Sequence, residues 1–234
     1  HVAQAELVLP HRFARVVGVS HRRGLARVCT QLRLAQAERV LRVGRIEGIG
    51  DKHVPWIHNV KNTDMVIDID DEDSQKLLRL FNDPAGRKYL IEEVGVPADF
   101  VEKLSLLGIS GIANMLCCIK MAKYYELTEH DVLATVGTDS SVMYGSRIQE
   151  LEEADGAYST VKAAADYAEH LHGIRTDVME ELTYEGRKRI HNLKYYTWVE
   201  QQGKTVQELN AQWYDKDYWT NVHNQMGEID TLIN

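Results

Sequence analysis

Across residues 111 to 125 the apolar side chains Ile112, Met115, Leu116, Ile119 and Ala122 recur at helical intervals, and this spacing predicts a buried or amphipathic helix. Met65, Val66, Ile67 and Ile69 instead form a short run rich in β-branched residues, interrupted only by Asp68. It predicts a strand closed by an acidic turn over 70 to 73. Residues 74 to 82 follow as a helix with Leu77, Leu78 and Phe81 on one side. Pro84 and Pro97 stand where a proline opens a helix without removing a needed donor. A turn over 128 to 131 leads into a second apolar strand, 132 to 136. The order strand, helix, helix, strand, helix predicts an α/β domain, a parallel sheet flanked by helices and joined through crossovers.

Beyond Ser146 the pattern is helical almost throughout. Asp177-x-x-Glu180 and Thr205-x-x-Glu208 have the capping-box spacing that opens helices. Between them Leu182, Ile190, Leu193, Tyr196 and Trp198 form a stripe that reads as core or subunit contact. The tail after Trp213 is polar and is expected to fray. Neither an internal repeat nor a low-complexity tract is visible.

A content of 44% hydrophobic and 26% charged residues is that of a globular protein and excludes a chain built for the bilayer or for disorder. No uninterrupted apolar run approaches the roughly 20 residues of a membrane span. The first ten residues do not read as an export signal, so the expected location is cytoplasmic. Cys29, Cys117 and Cys118 make neither an even disulfide framework nor a zinc spacing and are expected to be reduced, buried thiols.

Charge divides the chain unevenly. Residues 1 to 46 hold nine arginines against Glu6 and Glu38 and no lysine, whereas the rest holds twelve lysines and six arginines against 33 acids. Three readings of the basic segment 1 to 43 stand side by side. It is a nucleic-acid or acidic-partner arm, a shifted stretch joined to a domain beginning near Gly44, or a divergent native segment with Leu32, Ala35, Val40 and Leu41 facing a core at helical spacing. The partners carried forward are a small-molecule substrate and a second copy of the chain, with no nucleic acid and no membrane.

Chemistry concentrates in three segments: Arg45-Ile-Glu-Gly-Ile-Gly50 with His53-Val-Pro55, then Gly108-Ile-Ser-Gly111, then Thr138-Asp-Ser-Ser-Val-Met-Tyr-Gly-Ser146. Ligands of α/β sheets sit beyond the carboxyl ends of strands, and residues without Cβ let a backbone approach a flat ring there. Asp51, Lys52 and His53 make a polar lip beside Gly48 and Gly50. Ser110 stands at a helix start, where a hydroxyl is also a plain N-cap. The pairs His53/His58 and His170/His172 lack the spacing of a zinc helix, and no metal site is expected.

Taken in order, the three segments resemble the Lys-Ile-Gln-Gly-Ile-Gly, Gly-Ile-Ser-Ser-Gly and Pro-Asp-Ser-Gly-x-Arg-Tyr-Leu-Ser stretches of fold-type II pyridoxal-phosphate enzymes, the cysteine synthase and cystathionine β-synthase kind. The first match continues through Pro55 to Ser74 without a gap. The resemblance implies a tryptophan synthase β-subunit-like fold, of which residues 44 to 147 are the C-terminal part and 148 to 234 a helical extension. It implies that Ser110 bonds the pyridine nitrogen of pyridoxal 5'-phosphate, with Gly108, Gly111, Gly48, Gly50, Asp139 and Ser140 around the cofactor and Ile49, Asp51 and His53 toward the substrate. Thr138 and Met143 depart from the pattern, standing where the family has proline and arginine, and Gly108-Ile-Ser-Gly has one serine where the family often has two.

The implied chemistry is β-elimination or β-replacement on a small amino acid such as serine, O-acetylserine or cysteine. The family's Schiff-base lysine lies far upstream in a Ser-x-Lys-type motif, and that motif and the Gly/Ser/Thr loop that cradles the phosphate are both read as absent here, so the chain alone is expected to be inactive. The stretches 191 to 203 and 209 to 214 resemble the C-terminal extension of a bacterial subgroup of these proteins, a dimer contact or a lid, with a homodimer as the reading. The alternative from another class is a non-catalytic α/β subunit or protein-interaction domain that keeps the scaffold.

Overall fold

The computed structural model describes residues 53 to 233, and before them the backbone of five short strands between Glu6 and Leu34. These are β1 (Glu6–Pro10), β2 (Arg12–Ala14), β3 (Val17–Ser20), β4 (Ala26–Cys29) and β5 (Gln31–Leu34). With β6 (Met65–Ile69), β7 (Val132–Ala134) and β8 (Met179–Glu181) they form a sheet in the order β5-β1-β2-β6-β4-β3-β7, and β8 adds to β6. Ten α-helices follow: α1 (Asp71–Asn82), α2 (Pro84–Glu92), α3 (Ala98–Lys103), α4 (Ile109–Tyr124), α5 (Gly145–Asp155), α6 (Thr160–Tyr167), α7 (Tyr184–Lys194), α8 (Val206–Tyr214), α9 (Tyr218–Asn224) and α10 (Met226–Ile233).

Local chemistry accounts for where the helices begin. Asp70 accepts from the Glu72 amide, and Asp71, Glu72 and Asp73 fill the first turn of α1, where negative charge meets the positive end of the helix dipole. The acidic run expected as a turn is therefore the head of a helix. Asp83 both ends α1 and caps α2 through the Ala85 amide at 2.8 Å, with Pro84 in the first turn. The two helices close tightly at Gly86, where a Cβ would lie 2.9 Å from the carbonyl carbon of Leu80. At Thr205 both halves of the expected capping box form with Glu208.

β6 is buried at all five positions because both of its faces are covered. Met65, Ile67 and Ile69 alternate onto the main core with Leu77, Leu78 and Phe81 of α1 and Ile112, Leu116 and Met121 of α4. Val66 points the other way, into a second cluster with Val54, Val60, Leu182 and Ile190. The segment after residue 148 thus supplies the roof over the back of the strand that leads to α1.

Several expectations are corrected. β6 and β7 are not neighbours: β7 pairs antiparallel with β3, and β6 pairs antiparallel with β2 and β8 and parallel with β4 at one residue pair. A general α/β mixture is present, with strand pairing that is mostly antiparallel. The crossover-linked parallel sheet is not seen among the described residues. β7 is short and largely exposed, with only Leu133 half-buried against the main core. Asp177 and Glu180 open no helix: Asp177 bonds Lys120, Glu180 lies in β8 and pairs with Arg189, and Thr183 caps α7 through the Gly186 amide. The tail forms α9 and α10 instead of fraying. Leu32 lies in β5, and the rest of the supposed helical stripe, Ala35, Val40 and Leu41, is outside the described residues. No single helix among the described residues is long and apolar enough to cross a membrane.

Candidate functional site

Gly108, in extended backbone conformation, is the N-cap residue of α4, and its amide donates to the Asp139 carbonyl at 3.0 Å. That bond ties the loop after β7 to the mouth of the helix. Ser110, in the first turn, is then brought to the loop's side chains. Its Oγ lies 2.6 Å from Thr138 Oγ1 and donates to Asp139 Oδ1 at 3.2 Å. Thr138 donates to the same carboxylate oxygen at 3.2 Å, and the Tyr144 hydroxyl donates to Oδ2. Three hydroxyls therefore converge on one carboxylate at a helix N-terminus. Ser110 and Tyr144 are buried, Asp139 is half-buried and Thr138 faces out.

The surrounding contacts hold this arrangement in place. Ser141 Oγ donates to the Ser105 carbonyl at 2.9 Å, fixing the turn that presents Tyr144. One turn into α4, Asn114 donates to the Val136 carbonyl at 2.9 Å, while its buried Oδ1 has no hydrogen-bond partner among the described residues. A hydroxyl cluster of this kind can donate to one extra acceptor without losing its own order. If Ser110 turns its proton outward, Thr138 and Tyr144 still satisfy Asp139.

Of the residues singled out by sequence, the structure brings together Gly108, Ser110 and Asp139. Gly111 is buried one residue further along α4, against Leu107. Ser140 is the half-buried N-cap of the short turn Ser141–Tyr144, and its side chain makes no cap bond. His53 is half-buried at the edge of the described chain. Gly48, Ile49, Gly50, Asp51 and Lys52 lie outside the described residues, so the polar lip is not placed. The roles of Thr138 and Tyr144 were missed. Thr138 reads in sequence as a departure from a proline, and only its 2.6 Å approach to Ser110 shows what the hydroxyl does.

Contrary to the reading that no Ser-x-Lys triplet occurs, the chain holds one, Ser74-Gln75-Lys76; it lies inside α1, and Lys76 is bonded to Asp155 at 2.5 Å. Lys120 is buried and donates to the Asp68 carbonyl at 2.8 Å and to Asp177 at 3.3 Å. Cys117 and Cys118 form no disulfide, and burial pushes the Cys118 thiol up to about 11. No cluster of three or more metal-ligating side chains is found among the described residues.

A second polar constellation lies behind β6. Lys194 is fully buried and donates to the carbonyls of Trp56 (2.8 Å) and His58 (2.7 Å) and to Gln212 Oε1 (2.7 Å). All three ammonium protons are therefore matched, although burial draws its pKa down to about 7. His58 Nε2 meets Thr63 Oγ1 at 3.0 Å, and His191 Nε2 meets the Leu209 carbonyl at 3.0 Å. This cluster ties Trp56 and His58 to α7 and α8.

At Gly108 a Cβ would lie 2.6 Å from Asp139 Cγ and 2.9 Å from Tyr144 Cε2. Gly108→Ala is therefore expected to split the three-hydroxyl cluster and cost about 1–3 kcal/mol of overpacking strain. A thermal melt of the variant checks the cost, and an unchanged midpoint would show that the loop moves aside freely.

No protein-family model, curated protein or solved structure matches this chain.

Proposed function

We propose that the chain is part of a pyridoxal-phosphate-dependent enzyme that eliminates or replaces a group at Cβ of a small amino acid, with Ser110 as the partner of the ring nitrogen. The observation that carries this reading is the convergence of Ser110, Thr138 and Tyr144 on Asp139 beside Gly108. The hydroxyl cluster suits the nitrogen edge of such a ring, because it can offer one donor outward while staying satisfied. The finer fold reading, a tryptophan synthase β-subunit-like domain, belongs to the same proposal, as do the cytoplasmic location and the homodimer.

Bound in that place, the cofactor supplies the electron sink that lets a β-substituent leave. Ser110 sets how strong the sink is. A neutral hydroxyl donates to an unprotonated nitrogen and cannot keep it charged as a carboxylate does, which favours loss at Cβ over transamination. Thr138 orients the Ser110 proton by offering its own proton either to Ser110 or to Asp139. Asp139, held by Tyr144, would order the Ser110 hydroxyl without itself bonding the nitrogen. The lysine and the phosphate cradle are assigned to no described residue, so this chain furnishes one wall of the pocket.

The test is addition of pyridoxal phosphate to the purified chain, followed by fluorescence titration and by visible absorbance before and after borohydride. Saturable binding that Ser110→Ala weakens about tenfold, equivalent to 1.4 kcal/mol, is the expected result, with no reducible adduct. Binding that ignores Ser110 would sink the assignment. A reducible band would place the Schiff-base lysine within this chain.

A further inference from the structure

α7 and α8 line an open groove of about 740 Å³. Tyr184, Leu193, Tyr196, Val206 and Leu209 give it an apolar floor and walls, and Tyr184 and Tyr196 stand about 60% exposed. Its charged lining is Lys188 and Arg189 together with Glu185. Arg189 is paired with Glu180, whereas Lys188 lies over the rings of Trp213 and Tyr214 and has no carboxylate partner among the described residues.

α10 has the complementary character. Met226, Ile229, Leu232 and Ile233 recur at i, i+3, i+6, i+7 and so share one stripe, with Asp230 on one flank and Glu228 on the other. The stripe is left to water: Leu232 is 86% and Ile233 76% exposed. An isolated eight-residue helix is too short to hold itself together, so a face like this gains its stability from whatever it packs on. α9 is anchored to α8 through Trp219 Nε1 and the Gln212 carbonyl at 3.0 Å, and α10 continues from it with its stripe uncovered.

We infer that α10 of one copy docks into the α7/α8 groove of a second copy, and that the exchange is mutual. Both surfaces belong to the same chain, so one two-fold pairing covers two apolar stripes and two grooves at once, and closes. Helix-in-groove docking places apolar anchors spaced by i+3, i+6 and i+7 on the floor, while Glu228 and Asp230 meet Lys188 and Arg189 at the rim. The rim pairs set the orientation, and the buried Ile229 and Leu232 supply most of the binding. This inference does not rest on the cofactor reading.

Sedimentation of the full chain over a range of micromolar concentrations tests it. The wild-type chain is expected to dimerise, and Ile229→Asp with Leu232→Asp to be monomeric while keeping the circular dichroism of the fold apart from the eight residues of α10, because both positions are exposed. Two charge-reversed chains, Lys188→Glu with Arg189→Glu and Glu228→Lys with Asp230→Lys, are each expected to dimerise at least tenfold more weakly. Mixed together, they are expected to recover association, because in the mixed pair both exchanged contacts again bring opposite charges together. A monomeric wild-type chain, whether α10 folds back into its own groove or stays free, would overturn the inference. So would a dimer indifferent to both sets of changes.

Discussion

Acidification from pH 6.5 to 4 is expected to remove most of the stability of the C-terminal segment. Burial, together with the nearby Lys194 charge, draws His58 down to about 3 and His191 down to about 4. Both are depressed below the ordinary value of 6.5, so between about pH 4 and 6.5 the unfolded chain binds up to two more protons than the folded one. The contribution of the two histidines then rises with pH across the window and is fully present above 6.5. It is lost as pH falls, by up to about 2.7 kcal/mol per pH unit where both groups contribute. Lys194, lowered to about 7, extends the same sign upward, since the unfolded amine holds its proton to about 10.5. Urea melts between pH 4 and 8 measure the slope. His58→Gln and His191→Gln each keep a group able to bond Thr63 or the Leu209 carbonyl, and each is expected to remove about half the slope below pH 6.5. A slope unchanged in the double variant would show that the acid sensitivity arises elsewhere.

Replacing Asp166 by alanine is expected to cost about 3–5 kcal/mol, because it strands a buried guanidinium. Arg79 is 2% exposed and reaches Asp166 at 3.4 Å, Asp155 at 3.3 Å and the Leu151 carbonyl at 3.4 Å, while its guanidinium lies over the Tyr158 ring. Tyr158 donates to the same Asp166 oxygen at 2.8 Å, and burial with that neighbouring carboxylate holds its phenol well above the usual range. The exposed Asp155, which Arg79 already shares with Lys76, is a solvent-screened partner and offsets only part of the loss. A fall in the melting midpoint of roughly 10 °C is expected for a chain of this size. Changing Arg79 and Asp166 together to leucine should cost clearly less than Asp166→Ala alone, since no charge is then left unpaired. Equal losses would mean that shape, not charge, holds α1 to α6.

Periodicity made the main core legible. The strand at Met65–Ile69 and the helix around Ile112 to Met121 fall where the spacing places them, because both are buried on the faces that the spacing defines. Pairing was not legible. β6 is apolar at four of five positions, which suits a parallel central strand and also suits one roofed on its far side by α7. Sequence order alone could not distinguish these. The Asp177-x-x-Glu180 signal failed because each acid had a stronger use, Asp177 on Lys120 and Glu180 on Arg189. At the candidate site, Gly108, Ser110 and Asp139 were found through motif spacing. Thr138 was not, since a hydroxyl in a loop carries no pattern until Ser110 is seen beside it. Lys194 was equally hidden: a lysine within an aromatic run reads as a solvated position, and three distant acceptors bury it.

The double covering of β6 also bears on where the chain can be cut. Val66 is sealed by Leu182 and Ile190, and Met65 to Ile67 are hydrogen-bonded to β8. A product that stopped before residue 179 would keep every residue of the Ser110 cluster and yet open a bare strand margin, backed by an apolar surface that water had never touched. Such margins recruit other strands, so the shortened chain is expected to gather into β-rich aggregates instead of remaining a smaller folded domain.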